Sequence, residues 1–147
     1  MVRLGIGLHG ISATHANLQP VSSFKTYISS IREVPEGQSI GYGRKSYTTR
    51  PSRIAVIPVG YADGLNRHLS NRVGNVFVKG KRVPIIGNIC MDTCMIDVTD
   101  TNATIGDEVE IFGKHILVTE LSKQLGTIPY EILTGISHRV KRVYYKE

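Results

Sequence analysis

The sequence predicts a mainly-β domain, an antiparallel barrel or sandwich carrying one or two short helices. Short runs of apolar or alternating residues recur along the chain, its 15 glycines fall largely between those runs, and one stretch combines helical spacing with residues suited to both caps. At 147 residues the chain fits one ordinary domain, able to bury roughly two thirds of its unfolded surface without disulfides or metals.

Val2 to Gly10 reads as a short apolar strand closing on a turn, set so near the terminus that it suggests a larger sheet upstream. Ser12 to Pro20 is a polar connection. Phe24 to Val34 mixes β-branched and aromatic residues with polar ones and is expected as a strand, ended by Pro35-Glu36-Gly37. Arg53 to Val59 is a nearly continuous apolar run, hence a buried strand, broken by Gly60-Tyr61-Ala62-Asp63-Gly64. Asn75 to Gly87 reads as a hairpin around Lys79-Gly80-Lys81, with Pro84 at an edge or bulge. Cys94–Val98 and Asp107–Gly113 are further strands. Thr119 to Gly126 is the clearest helix, with Thr119 placed to cap its start and Gly126 its end. A second helix is expected from Pro129, and Arg139 to Tyr145 alternates as a final strand.

The apolar share of 41% and charged share of 20% are ordinary for a globular chain. No apolar run approaches the roughly 20 residues of a membrane span, and no signal peptide is evident, so a soluble, cytoplasmic protein with no membrane partner is expected. The net charge of +6 is spread without a like-charge run or interleaved aromatics, so no nucleic-acid partner is expected; a basic barrel binding nucleic acid or protein stands as the alternative reading. The histidines at 9, 15, 68, 115 and 138 lack metal-ligand spacing, and no phosphate-binding glycine loop or serine elbow occurs. Cys90 and Cys94, four apart, would share a strand face in poor disulfide geometry and are expected as free thiols.

Ser39 to Tyr47 admits two readings, a glycine-bracketed hairpin tyrosine packing on the surface or a site of chemistry. Tyr42 stands between Gly41 and Gly43, where the backbone can bend sharply and no neighbouring side chain buries the phenol, so it can project into a cleft. Arg44 and Lys45 add positive charge that favours a phenolate. Cys90-Met91-Asp92, just after Gly87-Asn88, reads either as a second loop whose amides face a ligand or as a strand entering the core with Asp92 as a local turn former.

Taken in order, Arg3-x-Gly5-Ile6, Gly41-Tyr42-Gly43, Gly60-Tyr61-Ala62-Asp63-Gly64, Gly87-Asn88-Ile89-Cys90-Met91-Asp92, Ile128-Pro129-Tyr130-Glu131 and Ile136-Ser137-x-Arg139-Val140-x-Arg142-Val143-Tyr144 resemble alanine racemases, pyridoxal-phosphate enzymes that make D-alanine for bacterial cell walls. The resemblance covers essentially the whole chain. It implies a Greek-key-type β-barrel over residues 13–147, preceded in residues 1–12 by the last strand of an amino-terminal (β/α)8 barrel, the domain that carries the cofactor-binding lysine in the family. Without that lysine the chain alone is expected to be inactive.

The same resemblance implies roles. Arg3 would face the pyridine nitrogen of pyridoxal 5'-phosphate and, always protonated, keep it unprotonated. Gly5 and Ile6 would offer amides, and Tyr130 its phenol, to the cofactor phosphate. Tyr42 would be the second catalytic base, needed because one base on one face returns the proton where it came from. Tyr61, Arg67 and Ile128 would line the substrate channel, and the Met91 amide, with Cys90 and Asp92 beside it, would hold the carboxylate of L- or D-alanine. A head-to-tail homodimer is implied, in which Tyr42 and Met91 serve the partner subunit's cofactor. The sequence departs from the family at Asn88, where many relatives carry arginine, at His9, where tyrosine is common, and in a shorter connection after Ser12.

Overall fold

The computed structural model describes Met1 and residues 5–12, 18–44 and 46–145. Its strands are β1 (Phe24–Tyr27), β2 (Ser30–Val34), β3 (Ser39–Ile40), β4 (Ser46–Tyr47), β5 (Ser52–Ile57), β6 (Asn75–Val78), β7 (Lys81–Ile86), β8 (Cys94–Asp97) and β9 (Glu108–Phe112), followed by helices α1 (Val118–Leu125) and α2 (Pro129–Thr134). Seven strands form one antiparallel sheet in the order β1-β9-β6-β7-β8-β5-β2, and β3 and β4 make a separate small hairpin. Within the large sheet, β6, β7 and β8 are consecutive and β5 returns beside β8, a Greek key. The mainly-β fold with two short helices is as the sequence predicts.

The sheet curls around one face, and its strands hide alternate residues there. Buried and half-buried positions alternate in β6 and β8, and the inward side chains Val76, Val78, Ile85, Ile96, Val109 and Ile111 form one core with Ile57, Leu65 and Leu121. A satellite cluster of Ile40, Ile54 and Ile86, flanked by Val34 and Met95, seats the β3–β4 hairpin on the sheet. The β6–β7 turn has φ of 47° at Lys79 and 78° at Gly80, the primed geometry that matches strand twist. Pro84 lies opposite Asn75, one residue before β7 takes up its pairing with β8 at Ile85. It is therefore not on an edge strand but where a missing N–H costs no ladder bond.

Four expectations are corrected. Residues 24–34 are two strands: at Ile28-Ser29 the chain crosses the mouth of the curled sheet, Ile28 N–H donating to Asp107 and Ser29 N–H to Val56. Ile6–His9, expected within a strand, form a 3-10 turn, because Leu8 N–H donates to Gly5 C=O and Gly10 N–H to Gly7 C=O, and local carbonyls take the amides a sheet neighbour would need; Val2 to Leu4 lie outside the described residues. Helix α1 starts one residue earlier than expected, its first residue preceded by Leu117, and Thr119 does not cap it; Gly126 does end it, with φ of 65°. Residues 139–145 are not a strand: Val140 N–H closes a turn onto Ser137, Arg142 donates to the Ser137 and Ile136 carbonyls, and Val143, Tyr144 and Tyr145 are exposed.

Candidate functional site

Tyr42 opens a 3-10 turn, Tyr42–Arg44, at the tip of the β3–β4 hairpin. Gly41, Gly43 and Arg44 have φ of 74°, 82° and 50°, a run of left-handed backbone that throws the Tyr42 side chain outward, 83% exposed. Lys45 lies outside the described residues. The glycine-bracketed tyrosine is thus presented to solvent as its neighbours predict.

The phenol faces an open cleft of about 740 Å³ lined by Tyr42, Tyr61, Arg67, Asn88, Ile89, Cys90 and Met91. Three loops build it. After β5 the chain enters Gly60 and the 3-10 turn Tyr61–Asp63, whose amides dock on the loop before β8: Tyr61 N–H donates to Cys90 C=O and Ala62 N–H to Met91 C=O, both 3.0 Å. Only glycine fits at 60, since a Cβ there would lie 2.3 Å from the Cys90 and Met91 carbonyl oxygens. Arg67 starts the turn Arg67–Leu69, and Ser70 at its end accepts the Ile89 N–H at 3.0 Å. Tyr61 and Arg67 also line a second cavity of about 430 Å³ that reaches Glu131 and Ile132 of α2 and the core residues Leu65 and Ile111.

The remaining candidates fall elsewhere. Asp92 does not line the cleft; its carboxylate accepts Arg139 Nη2 at 2.6 Å, while Arg139 Nε donates to Asp63 at 2.7 Å. Asp63 is buried and also accepts Gly60 N–H at 2.9 Å. Burial pushes the Asp63 carboxyl up, but the Arg139 guanidinium and the Gly60 amide outweigh it and hold it below the usual carboxylate range, and the two carboxylates raise Arg139 in turn. One guanidinium therefore clasps the Tyr61 loop, the Met91 loop and the chain after α2. Cys90 is half-buried at the cleft; Cys94, behind it, is fully buried, and burial pushes its thiol up to about 12. Both are free, as expected.

Gly5 and Tyr130 form a separate pair. A Cβ on Gly5 would come within 2.6 Å of the Tyr130 hydroxyl, so the phenol packs over bare glycine backbone that any side chain would displace. Tyr130 sits in the first turn of α2, Ile128 caps that helix from an exposed position, and Ile6 is half-buried at the start of its 3-10 turn. None of these lines the Tyr42 cleft. Arg3 lies outside the described residues.

Asn71, Asp63 and Arg139 carry structural weight at this site that the sequence does not announce, and Asn88, noted above only as a departure, bonds Asn71 and the Tyr42 carbonyl. Asp63 and Arg139 stand in the motifs quoted above, but nothing in sequence pairs residues 76 apart. Among the described residues no His/Cys/Asp/Glu cluster could hold a metal, and no helix is long and apolar enough to cross a membrane.

The architecture is that of a half-closed β-barrel domain offering a tyrosine-lined cleft at one rim. Residues 21–144 match the family described as alanine racemase, C-terminal domain. The chain is 51% identical to alanine racemase 2 of Caldanaerobacter subterraneus subsp. tengcongensis, over 98% of this chain and 39% of that protein. Among solved structures it is similar to the alanine racemase of Bartonella henselae with covalently bound pyridoxal phosphate, at TM-score 0.91 and 38% identity over 96% of this chain and 40% of that one. It is also similar to the alanine racemase of Streptomyces coelicolor A3(2), at TM-score 0.92 and 34% identity over 99% of this chain and 41% of that one. The chain belongs to the alanine racemase carboxy-terminal domain family, and spans about two fifths of the length of these relatives.

Proposed function

We propose that this chain is the carboxy-terminal part of a pyridoxal-phosphate-dependent racemase that interconverts L- and D-alanine, its D-alanine going to peptidoglycan from the cytoplasm. The observation that carries the reading is the exposed Tyr42 phenol at a cleft shared with Tyr61, Arg67, Cys90 and Met91, in a chain of this family. Pyridoxal phosphate fits the residues present: the Tyr130 hydroxyl over the bare Gly5 backbone can donate to a phosphate, with the Gly5 and Ile6 amides beside it, and Arg3 is assigned to the pyridine nitrogen. When bound, the cofactor draws electrons from the substrate Cα and acidifies its proton.

Racemisation needs a proton removed on one face and returned on the other, hence two groups on opposite sides. Tyr42 Oη is assigned one of them, taking or giving the proton at Cα, and a lysine of the amino-terminal barrel the other. The Met91 amide holds the substrate carboxylate, and Tyr61 and Arg67, which line the cleft, restrict the channel to a small side chain; Ile128, which does not line that cleft, is assigned to the channel on the family resemblance, and Cys90 and Asp92 support Met91, the latter through Arg139. Because Gly5 and Tyr130 lie outside the Tyr42 cleft, one chain is read as contributing to two sites: Arg3, Gly5, Ile6 and Tyr130 to its own cofactor, Tyr42 and Met91 to that of a second subunit in a head-to-tail homodimer. Residues 1–12 are assigned to the close of the barrel domain and 13–147 to the β-domain.

Tyr42→Phe in the full racemase tests the assignment. Loss of one acid/base group lowers turnover by about 10²–10⁴-fold while the cofactor's absorbance stays. Wild-type turnover in that variant refutes it.

A further inference from the structure

We propose that Asn88 and Asn71 form an amide relay that holds the Tyr42 turn in its working position, a role that rests on the reading of Tyr42 as the proton-transferring group. The hydrogen bonds run in one direction. Ser46 Oγ donates to Asn71 Oδ1 at 2.8 Å, Asn71 Nδ2 donates to Asn88 Oδ1 at 3.1 Å, and Asn88 Nδ2 donates to the Tyr42 carbonyl at 2.9 Å. The relay therefore grips both sides of the turn, at Tyr42 and at Ser46 where β4 begins. Among the described residues no other hydrogen bond joins residues 41–44 to the body of the domain.

The anchor of the relay is rigid. Asn71 has left-handed backbone with φ of 56°, a conformation asparagine tolerates, and its N–H donates to Gly87 C=O at 3.0 Å while Arg72 N–H donates to Ile85 C=O at 2.7 Å. Asn71 is thereby fixed to the end of β7, a strand in the middle of the sheet. The turn is pressed against the same place: a Cβ on Gly41 would lie 2.8 Å from Met95 Cε and 3.6 Å from the Asn88 nitrogen. Van der Waals contact sets how near the turn sits, and contact alone does not stop it rotating. The directional bond from Asn88 sets its orientation. A tyrosine exposed on a run of left-handed residues loses reach and angle together if that bond is lost, and an error of about 1 Å at a reacting group can cost on the order of a hundredfold in rate.

The asparagine pair acts without touching substrate, so both are positioning residues. Asn88→Asp keeps the acceptor for Asn71 and removes the donor to Tyr42, Asn88→Ala removes both, and Asn88→Gln restores both on a longer stem. In the full racemase with its cofactor, Asn88→Asp and Asn88→Ala are expected to lower kcat about tenfold to a hundredfold with little change in KM, and Asn88→Gln to recover part of the loss. Kinetics with α-deuterated alanine separate positioning from general damage: the isotope effect rises for the enantiomer whose proton Tyr42 takes and not for the other. Amide exchange of the segment 41–46 quickens in Asn88→Asp while that of β7 and β8 does not. Wild-type turnover and exchange in Asn88→Asp, with Tyr42→Phe inactive, overturn the relay alone. An equal loss with both enantiomers, without a change in isotope effect or exchange, overturns it too. Wild-type turnover in Tyr42→Phe overturns the base assignment and the proposal with it.

Discussion

Replacing Gly60 by alanine tests how tightly the Tyr61 and Met91 loops are fitted. Gly60 has extended backbone, φ −140° and ψ −165°, which any residue adopts, so the whole effect is one of space. The new methyl would sit 2.3 Å from two carbonyl oxygens and 2.4 Å from the Met91 carbonyl carbon, against 3.4 Å or more in ordinary contact. The loops must part by about 1 Å, which lengthens the two 3.0 Å bonds from Tyr61 and Ala62 to Cys90 and Met91. Overpacking costs about 1–3 kcal/mol and each weakened hydrogen bond about 0.5–1.5 kcal/mol, so the variant is expected to lose about 2–6 kcal/mol. In a domain of this size that lowers Tm by roughly 4–24 °C. Thermal unfolding followed by circular dichroism reads this. A parallel assay of the full racemase should show kcat/KM lower by about a hundredfold, because the Met91 amide moves by that same ångström. A Tm within about 2 °C of wild type and an unchanged kcat/KM would refute the reasoning, by showing that the loops separate freely.

Acid should loosen the same region. Burial raises the Asp63 carboxyl but Arg139 and Gly60 hold its folded pKa below the ordinary 3.8, so it stabilises the fold above that value and the contribution fades as pH falls through the lowered pKa; Asp63→Asn should flatten the acid limb of a Tm-against-pH curve. Thiol titration of the native chain should find Cys90 reactive and Cys94 silent until denaturant is added, since Cys94 is buried with its pKa pushed up to about 12; two thiols reacting together would contradict the packing.

What could be read from sequence followed from local rules. The Lys79-Gly80 turn, the Gly126 stop and Pro129 at the start of α2 each announce themselves within a few residues, and the structure has all three. Tyr42 was legible for the same reason, because two adjacent glycines decide its backbone. The failures are long-range. Ile28-Ser29 carries no glycine or proline, and only the distant Asp107 and Val56 make it a crossing. Residues 139–145 alternate like a strand, yet Arg139 answers to carboxylates at positions 63 and 92 and no sheet edge receives the segment. Asn71 and Asn88 are 17 apart, with no periodicity to link them.

The crossing at Ile28-Ser29 also bears on how the domain assembles. Strands β1 and β2, neighbours in the chain, occupy opposite ends of the sheet, and β1 pairs only with β9, Phe24 opposite Phe112. During synthesis β2, β5, β6, β7 and β8 can join as soon as β8 emerges, whereas β1 must wait, its amides unpaired, until β9 leaves the ribosome. Joining ends so far apart carries the loop-closure entropy that slows folding. The seam between β1 and β9 is thus the last to close, and until it does, Phe24 and the core beneath it stand open to other chains.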